Sequence, residues 1–297
     1  MALIEYTLEG KANKVEKALE RIRMFDPLQS GVMDDPYYVA YSGGKDSDVL
    51  RILFELSGCK YDLVHNHTTV DAPETVYYVR SIPNIQISYP RISMWKLIVK
   101  KRMPPTRLVR HCCTELKERG GRDRFVATGV RWAESVKRKN NRSSLEIATP
   151  KAKNRIILNA DNDENRKWFE TCQLQGKRVL NPIIDWTDAD VWEFLHHYGC
   201  QSNPLYQCGY KRIGCIGCPM ARPKERLRQF AQYPKYQENY IRAFDRMLAY
   251  AIENGNPHRA WKTGQEVFDW WIAEPTKKSD IDTFQLSFED DYTSRDI

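Results

Sequence analysis

The 297-residue sequence contains no apolar run long enough to cross a membrane, which excludes a membrane-spanning protein. Its amino terminus, Met-Ala-Leu-Ile-Glu-Tyr, does not have the basic and then apolar pattern of a signal peptide. Internal repeats and low-complexity tracts are also absent, so a repeat architecture is excluded. These absences predict a cytosolic protein that has no membrane partner.

The composition is that of an ordinary globular protein, with 41% hydrophobic and 29% charged residues. A net charge of +7 arises from 46 basic and 39 acidic residues. This excess suits a polyanionic partner such as nucleic acid or a nucleotide, but it also serves solubility alone. The eight cysteines are, in the cytosol, more often free, metal-binding or catalytic than disulfide-bonded.

One short stretch between a predicted strand and a predicted helix has the residues of a phosphate-binding loop. The strand is the apolar run over residues 37–41, and helical spacing begins at Asp48. Two adjacent glycines let the backbone approach a ligand, and the amides at the start of the helix attract an anion. A lysine adds positive charge, and two serines add hydroxyl donors. The predicted nucleotide ligands in this loop are Ser42, Gly43, Gly44, Lys45, Asp46 and Ser47.

This loop is not a Walker loop, in which four residues separate the first glycine from Gly-Lys-Ser/Thr. It resembles the pyrophosphate-binding loop (PP-loop) of ATP pyrophosphatases, which cut ATP between the α and β phosphates and transfer AMP. The alternative is a strand–turn–helix junction without a ligand. The complete string Ser-Gly-Gly-Lys-Asp-Ser favours the PP-loop.

Further strands and helices alternate after this loop. Residues 62–70 predict a strand followed by a helix after Pro73, and residues 85–89 predict a strand before a helix over 92–101. Such alternation predicts an α/β fold with a parallel sheet, whose ligands bind beyond the carboxyl ends of the strands. Asp71 lies at such an end and is predicted near the phosphate loop, although it could instead cap the following helix.

A fourth predicted strand, residues 124–130, leads directly into Arg131. An arginine just past the carboxyl end of a strand is well placed to bind phosphate or sulfate, because its guanidinium matches a tetrahedral oxyanion. The alternative is a surface salt bridge with Glu134 or Glu115.

The remaining segments have simpler interpretations. Residues 11–26 predict an amphipathic helix. The polar segment 137–178 predicts a mobile loop over the site or an insertion, and its basic run 137–142 is more typical of a solvated face than of a nucleic-acid site. Aromatic-rich helices are predicted from Pro223 onward, one of them over 263–273.

The predicted domains are an N-terminal helix and linker (1–36), a nucleotide-binding domain with a cysteine cluster (37–220), and a helical C-terminal region with an acidic tail (221–297).

Four cysteines have the pattern of a metal site that joins distant segments. Cys215 and Cys218 form a C-x-x-C pair, and Cys112 and Cys113 are adjacent about a hundred residues earlier. Zinc and iron–sulfur clusters both take four thiolates, but adjacent cysteines reach a [4Fe-4S] cluster more easily than a single zinc. Cys208 is a substitute ligand. The alternatives are a redox dithiol in the C-x-x-C pair, or cysteines that are simply small buried hydrophobic residues.

Five further motifs follow the phosphate loop in a familiar order. As a set they resemble the phosphoadenosine phosphosulfate (PAPS) reductase family of the adenine nucleotide α-hydrolase superfamily, over residues 37–220. The resemblance implies a doubly wound parallel sheet with an adenine nucleotide along its carboxyl edge, here followed by a helical C-terminal extension. The cysteine pattern is similar to that of the cluster-bearing adenylylsulfate reductases. The motifs lie at residues 71–75, 128–131, 181–192, 203–206 and 209–218.

Two departures from sulfonucleotide reductases favour ATP chemistry. The segment 287–297 lacks the cysteine with which those enzymes attack the sulfate sulfur. Their phosphate loop is usually degraded because their substrate has no β-phosphate, whereas this loop is intact. Relatives of this kind act in DNA phosphorothioation and tRNA thiolation, where AMP or pyrophosphate chemistry activates a nucleic-acid oxygen that a sulfur carrier replaces.

The resemblance therefore predicts an ATP pyrophosphatase in sulfur modification of nucleic acid, with ATP, Mg²⁺ and a [4Fe-4S] cluster as cofactors. A nucleic acid and a sulfur-donor protein are the predicted partners. Lys45, Asp46 and Arg131 are the predicted catalytic residues, and Asp71 and Gly129 are predicted to border the adenosine. One alternative is a sulfonucleotide reductase that takes its thiol from another chain or from Cys208. Another is a non-catalytic nucleotide- or DNA-binding subunit.

Overall fold

A computed structural model describes residues 1–7, 10–31, 33–117, 120–121, 123–148, 156–158 and 177–273. The chain forms two compact units. The first comprises Met1–Ile92 and Cys112–Cys215, and the second comprises Ser93–His111 and the chain from Ile216 onward. The predicted acidic tail lies outside the described residues. No helix in the described ranges is both long enough and apolar enough to cross a membrane.

The secondary-structure elements are numbered in chain order across both units. The strands are β1 (Ile4–Thr7), β2 (Gly10–Asn13), β3 (Tyr37–Ala40), β4 (Tyr61–Asn66), β5 (Gln86–Ser88), β6 (Phe125–Ala127), β7 (Leu145–Ala148), β8 (Ile156–Leu158) and β9 (Lys177–Leu180). The helices are α1 (Lys14–Met24), α2 (Lys45–Ser57), α3 (Pro73–Arg80), α4 (Met94–Lys101), α5 (His111–Leu116), α6 (Val136–Asn141), α7 (Asp188–His197), α8 (Pro223–Gln232), α9 (Pro234–Glu253) and α10 (Gly264–Ile272). Short 3₁₀ helices cover Trp132–Glu134 and Pro204–Tyr206.

The first unit is built on a seven-stranded sheet with the order β5-β4-β3-β6-β9-β7-β8. The five strands from β5 to β9 are parallel, which confirms the predicted α/β fold with a mostly parallel sheet. From β3 the chain adds β4 and β5 on one side, and then β6 and β9 on the other. The direction of winding therefore reverses between β3 and β6, and in open α/β sheets the crevice at such a reversal is where ligands bind.

Two antiparallel strands extend the sheet beyond β9 and were not predicted. β7 pairs with β9, and β8 pairs with β7. The mobile-loop interpretation of residues 137–178 is therefore wrong for these strands, whereas an insertion describes them; residues 149–155 and 159–176 lie outside the described ranges. Pattern analysis does not detect these strands because they are short and because one of their buried side chains is charged, where an apolar residue is expected. Glu146 is buried and accepts hydrogen bonds from Arg142 Nε at 2.8 Å and Asn181 Nδ2 at 3.1 Å.

Several predicted boundaries also shift. Helix α1 begins at Lys14 rather than residue 11, because the preceding residues pair with β1 and Asn13 caps the helix. Strand β4 ends at Asn66 rather than residue 70, since the chain turns at Thr69, whose φ of +67° is left-handed. Strand β6 ends at Ala127 rather than residue 130. The helices after β3 and β4 follow as predicted.

The phosphate loop is anchored on both sides by buried aromatic packing. Tyr37 in β3 is fully buried and packs edge to face against Phe54 of α2 and Phe125 of β6, with ring centroids 5.1 Å apart in each pair. Its hydroxyl donates to Ile22 O of α1 at 3.0 Å, so the buried polar atom is satisfied. Both β3 and α2 are thus fixed to the core, and the loop between them has rigid ends.

The second unit is helical and has an aromatic core of its own, which confirms the predicted helical C-terminal extension. Phe230, Tyr240 and Trp271 surround Gly217, whose φ is +70°. A Cβ atom on this glycine would lie 2.6 Å from the ring of Phe230, so only glycine fits. The hydroxyl of Tyr240 donates to Ile216 O at 3.0 Å and ties the chain to α9.

Candidate nucleotide site

The loop between β3 and α2 lies tightly against its neighbours. Gly43 adopts a left-handed φ of +75°, and a Cβ atom there would lie 3.0 Å from Val79 Cγ2 and 3.1 Å from Thr75 Cγ2. The fully buried Asn203 donates from Nδ2 to Gly43 O at 3.0 Å and to Thr75 Oγ1 at 3.1 Å. The glycine requirement therefore comes from both backbone conformation and close packing on α3.

Three amides of the loop are already bonded within the protein, and one of them is Ser47 N, which donates to Gly44 O at 2.9 Å. Ser47 Oγ accepts from Gly44 N at 3.1 Å and donates to Gly44 O at 2.7 Å, which caps the start of α2. Lys45 N donates to the hydroxyl of Tyr206 at 2.9 Å. The hydroxyl of Ser47 is therefore a structural support of the loop, and Tyr206 covers one amide of the predicted cradle.

Other amides of the loop are available to a ligand. Among the described residues, the backbone N–H groups of Ser42, Gly43 and Asp46 donate to no protein acceptor. They lie at the carboxyl end of β3 and the amino end of α2, where the helix dipole is positive. The loop can thus supply amide donors and a favourable field to an anion such as a phosphate.

A network of two cations and two carboxylates borders the loop. Arg131 is buried; it donates from Nε to Asp46 Oδ1 at 2.7 Å, from Nη2 to Asp188 Oδ1 at 2.8 Å and from Nη1 to Trp186 O at 3.2 Å. Lys45 Nζ lies 2.9 Å from Asp188 Oδ1 and 3.4 Å from Asp46. The formal charges of the four side chains cancel, and each charged side chain of the network contacts an oppositely charged one.

The pKa shifts in this network follow from its pairing. The hydrogen bond from Lys45 is the main cause that holds the pKa of Asp188 below its usual value, with a second bond from Arg131. Burial lowers the pKa of Arg131, but Asp46 and Asp188 together outweigh burial and raise it. The alternative for Arg131, a surface salt bridge with Glu134 or Glu115, is wrong, because Arg131 is buried and its guanidinium bonds Asp46 and Asp188. Glu134 Oε1 accepts from the backbone N–H of Arg131 at 3.1 Å and from the side chain of Arg138.

Gly129 brings the turn after β6 onto the start of α2. A Cβ atom at this position would lie 3.0 Å from both Cβ and O of Asp46. The structure thus brings four of the predicted site residues together at the reversal between β3 and β6, namely Lys45, Asp46, Gly129 and Arg131.

Asp71 lies at the carboxyl end of the next strand, in a different environment. Its Oδ2 accepts from Thr68 N at 2.8 Å, and Ala72, not Asp71, is the N-cap of α3, so the capping alternative is wrong. Burial raises the pKa of Asp71, but His67, Lys117 and the Thr68 amide outweigh burial and lower the pKa to about 2. The group is therefore a carboxylate under all physiological conditions.

One of the predicted metal ligands lies beside this carboxylate. Cys215 is buried, and its Sγ lies 3.3 Å from Thr68 Oγ1 and 4.0 Å from Asp71 Oδ1. Cys112 is buried and Cys113 is half-buried, both in α5. Within the described part of the first unit, the three sulfurs do not all lie within 4.8 Å of one another. Thiolates on one tetrahedral zinc are about 3.8 Å apart, so these three are not preassembled around a single zinc ion.

The other two predicted cysteine ligands differ in position. Cys208 is exposed, whereas Cys218 is half-buried and belongs to the second unit. In the described part of the chain, none of these five cysteines forms a disulfide.

Pattern analysis did not assign three residues of the site. Asp188 lies within the motif at residues 181–192, but no local pattern links it to Arg131, which is 57 residues away. Asn203 and Tyr206 lie within the motif at residues 203–206, and no local pattern links that motif to the phosphate loop. That motif is the one signal in the sequence that could have located the two residues.

Residues 36–221, more than half of the chain, match the family model of the phosphoadenosine phosphosulfate reductase domain. The chain belongs to this family. The resemblance predicted from the motifs is thereby confirmed.

Two curated proteins and one solved structure show how similar this chain is to individual proteins. An uncharacterised 37.8 kDa protein of Escherichia phage 186 is 30% identical over 165 residues, which are 56% of this chain and 44% of that protein. The adenosine 5′-phosphosulfate reductase of Burkholderia cepacia is 44% identical over 57 residues, which are 19% of this chain and 23% of that enzyme. This chain therefore spans less than half the length of these curated relatives. The crystal structure of the Candida auris PAPS reductase, a phosphate complex, covers 71% of this chain and 97% of its own, at 19% identity and a TM-score of 0.40.

Proposed function

We propose that this member of the PAPS reductase family is an ATP pyrophosphatase that transfers AMP to an acceptor in the sulfur modification of nucleic acid. The supporting observation is the complete loop after β3, whose free amides at Ser42, Gly43 and Asp46 lie beside Lys45 and Arg131. A sulfonucleotide has no β-phosphate, and the resemblance implies a usually degraded loop in reductases, whereas the loop of this chain is intact. A nucleoside triphosphate supplies the missing β and γ phosphates.

The proposed reaction is a displacement at the α-phosphorus of ATP. An oxygen of the acceptor attacks the α-phosphorus, the bond from that phosphorus to the bridging oxygen breaks, and pyrophosphate leaves with the bonding electrons. The loop amides and Lys45 hold the leaving pyrophosphate, and Arg131 stabilises the charge on the α-phosphate in the transition state. Asp71 and Gly129 border the adenosine.

A carboxylate suited to Mg²⁺ lies at the same place. Asp46 contacts both Lys45 and Arg131, and Mg²⁺ in nucleotide enzymes is held by one or two carboxylates and by phosphate oxygens. Bound there, Mg²⁺ would neutralise charge on the departing pyrophosphate. Asp188 has a side chain that is 70% exposed, so it can rotate away from the two cations when the nucleotide phosphates replace it.

The predicted [4Fe-4S] ligands are part of this proposal. They are Cys112, Cys113, Cys215 and Cys218, with Cys208 as substitute. A cluster presents a separate iron to each thiolate, so it does not require sulfurs preassembled around one point. The group would order the site or handle sulfur. Equal iron and sulfide contents in anaerobically purified protein would support it, whereas zinc alone would indicate a structural metal.

The decisive experiment measures the products formed from ATP and Mg²⁺, with and without tRNA and double-stranded DNA. AMP and pyrophosphate are the expected products, and ADP with phosphate would contradict the proposal. Lys45→Gln should abolish pyrophosphate release. Lys60→Gln is the matched control, because Lys60 is an exposed lysine just before β4, at the opposite end of that strand from its carboxyl end.

A sulfonucleotide reductase is the second candidate. Two observations favour it: the similarity to the Burkholderia cepacia enzyme, and the exposure of Cys208, which could provide the attacking thiolate. Thioredoxin-dependent release of sulfite from adenylylsulfate, lost in Cys208→Ser, would support this function over ATP cleavage.

A further inference from the structure

A cluster of metal-ligand side chains that contains no residue of the phosphate loop lies at the end of β4. His65, His67 and Asp71 each offer one ligand atom, and the three atoms lie within 4.8 Å of one another. His67 Nδ1 is 3.4 Å from Asp71 Oδ2, and His65 Nε2 is 3.9 Å from the same oxygen. These contacts are too long for strong hydrogen bonds, but they suit ligands on a shared ion.

His65 is oriented as a metal-bound histidine. It is only 4% exposed, and its Nδ1 lies 3.0 Å from Tyr41 O. Because a carbonyl can only accept, Nδ1 carries the proton and Nε2 has the lone pair. In the described part of the chain, Nε2 is buried and has no hydrogen-bond partner. A histidine that donates one N–H to a backbone carbonyl and turns its other nitrogen to a ligand position is the usual arrangement at metal centres.

The distances fit a single small ion. Two ligands at about 2.1 Å from a tetrahedral metal lie about 3.4 Å apart. The His67–Asp71 distance of 3.4 Å already has this value, and the His65–Asp71 distance of 3.9 Å needs only a small adjustment. Both histidine rings also line a small surface pocket with Ile87 and Tyr89.

We propose that His65, His67 and Asp71 bind one divalent transition-metal ion of the zinc class. Two imidazoles and a carboxylate match the preferences of such ions, and a three-residue set leaves a coordination position open for a small ligand. The site goes beyond the proposed ATP chemistry, because neither histidine takes part in it. Asp71 is shared by both, so the test relies on the histidines.

Cobalt is a suitable probe, since Co²⁺ replaces zinc and its visible bands report the ligand atoms. Metal-free protein is titrated with Co²⁺ in competition with a chelator. The expected result is one site with bands of nitrogen and oxygen ligation. His67→Ala should weaken that site more than the roughly 10–100-fold typical of losing an outer-shell partner. His197→Ala is the matched control, because His197 is exposed on α7. Thiolate charge-transfer bands report cysteine binding separately.

A second variant keeps the test informative if His67→Ala folds poorly. His67→Cys retains a donor atom, so it should bind Co²⁺ and gain one thiolate charge-transfer band, which a merely structural ion pair would not produce. The proposal is overturned if His67→Ala binds Co²⁺ as tightly as the unaltered protein with the same bands, or if only thiolate bands appear. Lys45→Gln should leave Co²⁺ binding unchanged, so failure of the ATP activity and failure of this site are separate results.

Discussion

Replacing Asp188 with asparagine tests whether the charge network holds the place of a nucleotide phosphate. Asp188 accepts from Lys45 at 2.9 Å and from Arg131 at 2.8 Å, yet its side chain is 70% exposed. If ATP takes over these two cations, Asp188 must first release them. Asp188→Asn removes the competing charge and keeps the shape, so nucleotide binding should become tighter.

The size of the effect follows from the exposure of Asp188. Ion pairs in contact with solvent contribute about 0.2–1 kcal/mol each, because water screens them. Two such contacts amount to about 1 kcal/mol, which corresponds to a roughly five-fold lower dissociation constant. If the ion pairs of Asp188 were buried, the change in the dissociation constant would be larger, and if they were fully exposed there would be no change.

The assay is calorimetric titration with a non-hydrolysable ATP analogue at fixed Mg²⁺ and ionic strength. Glu193→Gln is the matched control, since it removes the same charge from an exposed position on the same helix. This control should leave the affinity unchanged.

Weaker binding in Asp188→Asn would refute the reasoning, because it would mean that Asp188 supports the bound nucleotide or its metal. An equal improvement in Glu193→Gln would also refute it, since the effect would then come from net charge and not from release of the two cations.

Three further predictions concern the same region. Burial raises the pKa of the Asp48 carboxyl to about 6. The contribution of this carboxyl to the free energy of unfolding is therefore complete below about pH 4, and about 3 kcal/mol of it is lost as the pH rises through 6. Urea unfolding of Asp48→Asn should lack this pH dependence. If the free energy of unfolding of Asp48→Asn changed with pH as steeply as that of the unaltered protein, this prediction would be wrong. Gly129→Ala should cost about 1–3 kcal/mol because its methyl group meets Asp46, and an unchanged melting temperature would contradict it. Tyr206→Phe should cost about 1 kcal/mol in stability yet preserve ATP-analogue affinity, since the freed Lys45 amide can bind phosphate.

The sequence could predict the phosphate loop and its flanking elements because their signals are local. Strand alternation, adjacent glycines and helical spacing all involve neighbouring residues, and Arg131 follows its strand directly. The parallel sheet followed from the alternation of these elements. The same local reasoning placed Asp71 at a strand end, but it could not say which side chains surround it.

Interactions between distant residues were beyond such patterns. Tyr206 bonds the Lys45 amide across 161 positions, and the motif at 203–206 does not by itself show that its partner is the phosphate loop. Strand β7 was hidden because Glu146 points inward, where apolar residues are expected. His65 and His67 did carry a usable signal, since residues two apart on an extended chain face the same side.

The antiparallel pair β7 and β8 has a consequence for the boundary of the sheet. Because β7 hydrogen-bonds to one side of β9 and β6 bonds to the other, β9 is enclosed on both sides. A shortened protein lacking β7 and β8 would turn β9 into an outermost strand, with open N–H and C=O groups ready to pair with another molecule. Among the described residues the sheet ends instead at β8, a strand of only 3 residues, and a short edge strand presents few open groups. Shortening the polar insertion should therefore make the protein more prone to form aggregates.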